Sequence, residues 1–148
     1  RKISNDIYQN AQVRLAPLPL TVNRESAQTF YQHTQAIEQQ RAQSLKPLGA
    51  LVAGIKKDVV ITNRLSEKPH RVAIYGWHQD AQNPIQSLTI VHSERYVDYS
   101  HGVRLICRHV MVDQQLMDIT QVLRNPDLCA LLSDEGPLAI DPYAAGED

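Results

Sequence analysis

The hydrophobic period of this chain changes twice. From Lys2 to Leu15 the residues Ile3, Ile7, Ala11 and Leu15 recur every four positions, which places them on one stripe of a helix. Pro17 and Pro19 end that pattern. A second helical period runs from Ser26 to about Leu45 through Ala27, Phe30, Tyr31, Thr34, Ile37 and Leu45. Ser26 stands at the N-cap and glutamines fill the other face. Leu48 to Gly54 is apolar but interrupted by glycine, and the pattern leaves its conformation open. Beyond Lys56 and Lys57 the period shortens to β-branched runs bounded by turn residues, the mark of strands. Asp58 to Thr62, Arg71 to Trp77 and Ile85 to His92 are the first three, and Arg95 to Tyr99 is a candidate fourth. Val103, Leu105 and Cys107 then alternate with Arg104, Ile106 and Arg108, and Val110 and Val112 lead to a hairpin turn at Asp113-Gln114-Gln115. Asp118 is placed to cap a short helix holding Ile119, Val122 and Leu123, which Asn125-Pro126 ends. Asp127 is placed to cap another through Leu132.

Helices first, then a block of strands, then short helices predict an α+β fold: N-terminal helices, a mostly antiparallel sheet and short C-terminal helices. Segregated runs do not build the alternating units of a parallel sheet. At 148 residues the chain is the size of one domain, expected over residues 1–133, with 134–148 as an acidic flexible tail. Because the chain opens on Arg1 inside a helical pattern, an upstream part of the domain is expected as well. A hydrophobic content of 43% with 21% charged residues is that of a globular protein. A net charge of -1 gives no field that would favour nucleic acid or an anionic membrane, and no run approaches the roughly 20 apolar residues of a membrane span. Cys107 and Cys129 match no zinc or redox spacing. They read as free buried thiols ahead of a disulfide or a catalytic role.

Chemistry concentrates in one stretch. Three of the six histidines, His78, His92 and His101, lie between positions 78 and 101, joined by Trp77, Tyr96, Asp98, Tyr99 and Ser100, with Arg104 just beyond. Imidazole titrates near neutral pH, a carboxylate can orient it, and Gly102 permits close backbone approach. Four readings stay open. His101 is a general base oriented by Asp98 or by a tyrosine hydroxyl such as that of Tyr99. His92, Asp98 and His101 are a two-histidine, one-carboxylate metal set. Tyr75, Trp77, Tyr96 and Tyr99 with the histidines line a sugar or peptide cleft. In the plainest case, these are turn and sheet positions whose polar groups bond one another. Ser100 and His101 are adjacent, so an extended chain would point them to opposite faces and disfavour a direct dyad. Lys56-Lys57-Asp58 reads as a solvated start to a strand, since lysine is rarely buried. No phosphate loop, dinucleotide turn or zinc-protease motif is present, and no cofactor is expected.

Ser100-His101-Gly102-Val103-Arg104-Leu105, preceded by His92, resembles the Ser-His-Gly-Cys-x-Arg signature of the L,D-transpeptidases, in which the cysteine is acylated and the histidine helps activate it. That resemblance implies a β-rich catalytic domain with a cell-envelope substrate. The motif cysteine is absent here, His92 is followed by Ser93 where that family has glycine, and Cys107 sits four residues late, roughly 13 Å along a strand. More of the chain, Lys56 to Ile61, Val72 to His78 and Asp98 to Leu105, is similar to an uncharacterised, often exported bacterial family, which implies a periplasmic or secreted protein. Together these readings give an expected function: an exported protein acting on a cell-envelope or extracellular polymer. His101 would be the acid–base residue, Asp98 and Tyr99 its partners, and His78, His92, Trp77, Tyr96, Ser100 and Arg104 the substrate-binding residues. The alternative is a non-catalytic binding or structural module for a small-molecule or polymer ligand.

Overall fold

A computed structural model describes residues 1–139. The fold is α+β with mostly antiparallel sheets. Helix α1 (Lys2–Asn10) is shorter than its apolar stripe, because Ala11 turns extended and the chain pairs as β1 (Val13–Arg14) with β2 (Val52–Ala53) in parallel. Here tertiary pairing overrides helical periodicity: Leu15 keeps its buried place by donating its N–H to Ala53 O instead of continuing the helix. Arg14 closes the helix end by donating from Nε to Tyr8 O at 2.8 Å and from Nη2 to Gln9 O.

Helix α2 (Ala27–Gln43) begins at the expected cap, with Ser26 Oγ accepting from Thr29 N–H. Its buried residues are Thr29 and His33 rather than the apolar stripe, and Tyr31 and Leu45 are exposed. The reason is local. Thr29 bonds Asn23 O, and His33 packs edge-on against Tyr99 at 5.0 Å, so these two polar residues take the most buried places on a face they share with half-buried Phe30, Ala36 and Ile37.

The main sheet holds β3 (Lys57–Val60), β4 (Ala73–His78), β5 (Pro84–Thr89) and β6 (His101–Gly102) in the order β5-β4-β3-β6. Strands β3, β4 and β5 are antiparallel neighbours, while β6 runs parallel to β3 for only two residues. Every residue of β4 is buried. Its register shifts near Gly76, where positive φ angles at Gly76 (107°) and Trp77 (56°) form a bulge. The bulge breaks the period of two, so Tyr75 and His78 share the face covered by α1 and Trp77 takes the other.

The expected strand Arg95–Tyr99 is instead a sequence of tight turns, with Tyr96 N–H on Ser93 O and His101 N–H on Asp98 O. The alternating segment Val103 to Cys107 also forms no strand. A separate hairpin follows, β7 (His109–Val112) and β8 (Gln115–Asp118), turned by Asp113 and Gln114 at positive φ. Helix α3 (Ile119–Arg124) starts on the Asp118 cap as expected. The next short turn, Cys129–Leu131, is entered through the Asn125 side chain, which accepts from Asp127 and Leu128 N–H, not through Asp127.

The segment expected to be a tail from Asp134 is docked as far as Ala139. Glu135 accepts from the Thr62 hydroxyl and the Asn63 N–H, and buried Leu138 donates to Leu123 O. The remainder of that expected tail lies outside the described residues. Both cysteines are free, Cys129 buried and Cys107 exposed. Among the described residues no helix is long and apolar enough to cross a membrane.

Candidate functional site

The turn before β6 gathers part of the predicted cluster. Asp98 and Ser100 are 2% and 1% exposed. Asp98 Oδ1 accepts from both the Ser100 N–H (2.9 Å) and the Ser100 hydroxyl, and its Oδ2 lies 3.8 Å from Lys57 Nζ. Burial alone would raise the Asp98 pKa. The two Ser100 hydrogen bonds, Lys57 and His101 outweigh it and hold the carboxyl below its ordinary range. Lys57 contradicts the expectation of a solvated residue: it is 7% exposed, its ammonium stands over the Trp77 ring at 5.7 Å, and burial lowers its pKa while Asp98 partly restores it. The sequence signal was only that Lys57 directly precedes a β-branched run, so its alternation phase put it on one face or the other.

His101 is fixed through its lone pair. The Asp98 backbone N–H donates to His101 Nδ1 at 3.0 Å, which makes Nδ1 the acceptor and places the ring proton of the neutral form on Nε2. The Asp98 carboxylate, 3.9 Å away, is not what orients the ring. Burial lowers the His101 pKa, Asp98 opposes it, and Lys57, His92 and Lys56 add to the lowering, so the surroundings favour the neutral ring. Its Nε2 is buried with no hydrogen-bond partner among the described residues. His92 and Tyr96 stack at 4.2 Å, and each meets the His101 ring nearly edge-on, at 5.7 and 5.6 Å. A Cβ on Gly102 would meet Lys56 Cβ at 3.1 Å, so glycine lets the turn lie against the lysine pair.

The remaining predicted residues lie elsewhere. The Tyr99 hydroxyl is engaged with Leu20, accepting from its N–H and donating to its carbonyl. It therefore pins the 17–25 loop instead of partnering His101. His78 is on the opposite face of β4 from Trp77, stacked on Tyr8 at 4.8 Å and bonded to Asn5 Oδ1 at 2.9 Å. Arg104 points away from His101 and donates to Val52 O at 3.0 Å. Trp77 joins the cluster only through Lys57. The structure thus brings together His92, Tyr96, Asp98, Ser100 and His101, adds Lys57, and separates Tyr99, His78 and Arg104 from them. No three His, Cys, Asp or Glu side chains among the described residues are arranged to hold a metal ion.

Chemically this turn is closed. A general base needs a free lone pair, and that of His101 is taken by a backbone N–H. A serine nucleophile needs exposure and a base, and the Ser100 hydroxyl is buried on Asp98.

A concavity lies past β6 along the chain. A cavity of about 400 Å³ opens between α1, the outer edge of β3, the segment after β6, α3 and the docked C-terminal segment. Ile3, Ile7, Val60, Ile119, Leu123 and Leu138 form its apolar wall, and Arg104 is the one predicted binding residue that reaches it. Sequence reasoning missed this site, because its wall is assembled from five separated segments, none with a motif of its own.

Comparison with family models, curated proteins and solved structures finds no match to this chain.

Proposed function

We propose that the chain is a non-catalytic binding module whose ligand occupies the apolar cavity beside β3. The observation that carries this reading is the cavity itself: about 400 Å³ lies within the range of roughly 300–1,000 Å³ typical of ligand pockets, with a largely apolar wall edged by polar and charged groups that include Arg1, Asp58, Arg104, Asp134 and Glu135. The closed turn at His101 favours binding over turnover, because neither the imidazole lone pair nor the serine hydroxyl is available to a substrate. The polymer-acting reading rests on the resemblance around Ser100-His101-Gly102 and has no nucleophile to use there.

An amphipathic anionic fluorophore that lights up in apolar surroundings tests the proposal. Anilinonaphthalene sulfonate should bind in a saturable, one-to-one fashion, Ile3→Trp should abolish uptake by filling the cavity, and His101→Ala should leave uptake unchanged. Unsaturable binding, or uptake indifferent to Ile3→Trp, would overturn it.

A further inference from the structure

Resting on that reading of the cavity, we infer that its ligand is a small zwitterion on an apolar frame, an apolar amino acid or short apolar peptide with free ends. Its carboxylate pairs with Arg104 and its ammonium with Asp58. The charged side chains of the wall are Arg1, Asp58, Arg104, Asp134 and Glu135, and most of them are spent. Arg1 Nε lies 3.0 Å from Asp134 Oδ2. Both oxygens of Glu135 lie within 2.8 Å of the Thr62 hydroxyl, and Oε2 also accepts from the Asn63 N–H.

Arg104 and Asp58 are left over. Arg104 donates from Nη2 to Val52 O at 3.0 Å, while its Nε is buried with no acceptor. Asp58 Oδ2 accepts from the Ser4 hydroxyl at 2.6 Å, and no described side chain bonds Oδ1. Neither residue has an opposite charge within salt-bridge reach among the described residues, although both are half-buried. The wall therefore holds one unmatched cation and one unmatched carboxylate. They are close to each other: Asp58 is the register partner of Gly102, and Arg104 is two residues further on. The two Cα atoms are thus within about 12 Å, roughly 5 Å across the strand pair and 7 Å along the chain.

A purely apolar ligand would displace water from both charges and match neither, which is costly. An anion would satisfy Arg104 and set its charge beside Asp58, and a cation would do the reverse. A zwitterion answers both at once, and its apolar side chains meet Ile3, Ile7, Ile119 and Leu123. Charge-assisted hydrogen bonds at the two ends would fix its orientation.

Titration calorimetry with leucine, leucyl-leucine, N-acetyl-leucyl-leucine and leucyl-leucine amide tests this. Leucine or the free dipeptide should bind, the tighter of the two setting the ligand's length, and each blocked dipeptide should bind at least about tenfold more weakly than the free one. Asp58→Asn should abolish the discrimination against the acetylated dipeptide and keep that against the amide, and Arg104→Gln should do the opposite. A general loss of structure would weaken all probes alike, and the comparison of blocked with free dipeptide in the unaltered protein stands without either variant. Blocked forms that bind as well as the free dipeptide would overturn the zwitterion, as would binding that survives Ile3→Trp. Saturable fluorophore uptake with no binding of leucine or dipeptide would overturn it too and leave the cavity reading standing. Absence of both would overturn the two together.

Discussion

Two stretches of chain separated only by the two residues of β6 have opposite characters. Before β6, the turn Asp98–Ser100 is 1–2% exposed, and its carboxylate and hydroxyl are bonded within the fold. After β6, Val103 and Leu105 stand almost fully exposed on a backbone that pairs with no other backbone group among the described residues. The polar stretch attracts attention in a sequence, yet its groups are consumed by one another. The apolar stretch reads only as a strand in the sequence, yet it borders the cavity through Leu105 and Ile106. Density of chemistry along a chain therefore marks a place where polar groups meet. A site further requires that some of them be left over and reachable.

The comparison breaks most sharply at Asp98. Asp98→Ala removes the acceptor of two Ser100 donors and strands the Lys57 ammonium in a buried setting, so a loss of roughly 3–5 kcal/mol in unfolding free energy is expected by denaturant titration. Adding Lys57→Met should recover part of that loss, because the uncompensated charge goes with it. If Asp98→Ala unfolds with wild-type stability, the turn is not a structural knot, and the contrast with the cavity collapses.

Acid titration probes the same side of the sheet. His33, 1% exposed, packs against Tyr99, which in turn meets Trp77 at 6.2 Å. Burial, reinforced by Lys56, pushes the His33 pKa from its ordinary 6.5 down to about 4. The folded-state value lies below the unfolded one, so above pH 6.5 neither state takes the proton and stability is unaffected. Between pH 6.5 and 4 only the unfolded state takes it, and stability falls by roughly 3 kcal/mol, with no further loss from this group below pH 4. The imidazole proton resonance of His33 should titrate near pH 4. A midpoint near 6.5 would show a solvated ring and a more open neighbourhood than the contacts imply.

What the sequence made legible follows the range of the forces involved. Caps and turns are local, so Ser26, Asp118 and the Asp113–Gln114 hairpin stand where their residue types place them. The order of helices and strands was enough for the α+β class. Pairing across the chain was not legible: Leu15 left its helix for Ala53, and Val103 to Cys107, strand-like in sequence, forms no strand. The candidate site divided in the same way. His92, Tyr96, Asp98, Ser100 and His101 meet because a few residues of turn hold them. Trp77 and His78, adjacent on β4, part by ordinary strand alternation, whereas Tyr75 and Trp77 part because positive φ at Gly76 and Trp77 shifts the register, which residue spacing cannot reveal. Tyr99 turned to Leu20, 79 residues away in sequence.

The smallest stability effect should come from the cavity, and it is the one that gives the comparison its functional content. Ile3 is half-buried at the cavity wall, so Ile3→Trp adds an indole into space that no described residue fills. Overpacking costs about 1–3 kcal/mol where a core is already dense, and here the void relieves it, so unfolding free energy should change by less than about 1 kcal/mol in either direction. Fluorophore binding should vanish all the same. Asp98→Ala, assayed under conditions where it remains folded, should show the reverse, with large destabilisation and retained uptake. If Ile3→Trp destabilises by as much as Asp98→Ala, the space beside β3 closes in solution and is core. If stability holds and binding is lost, the two sides of β6 are separate in function as well as in packing.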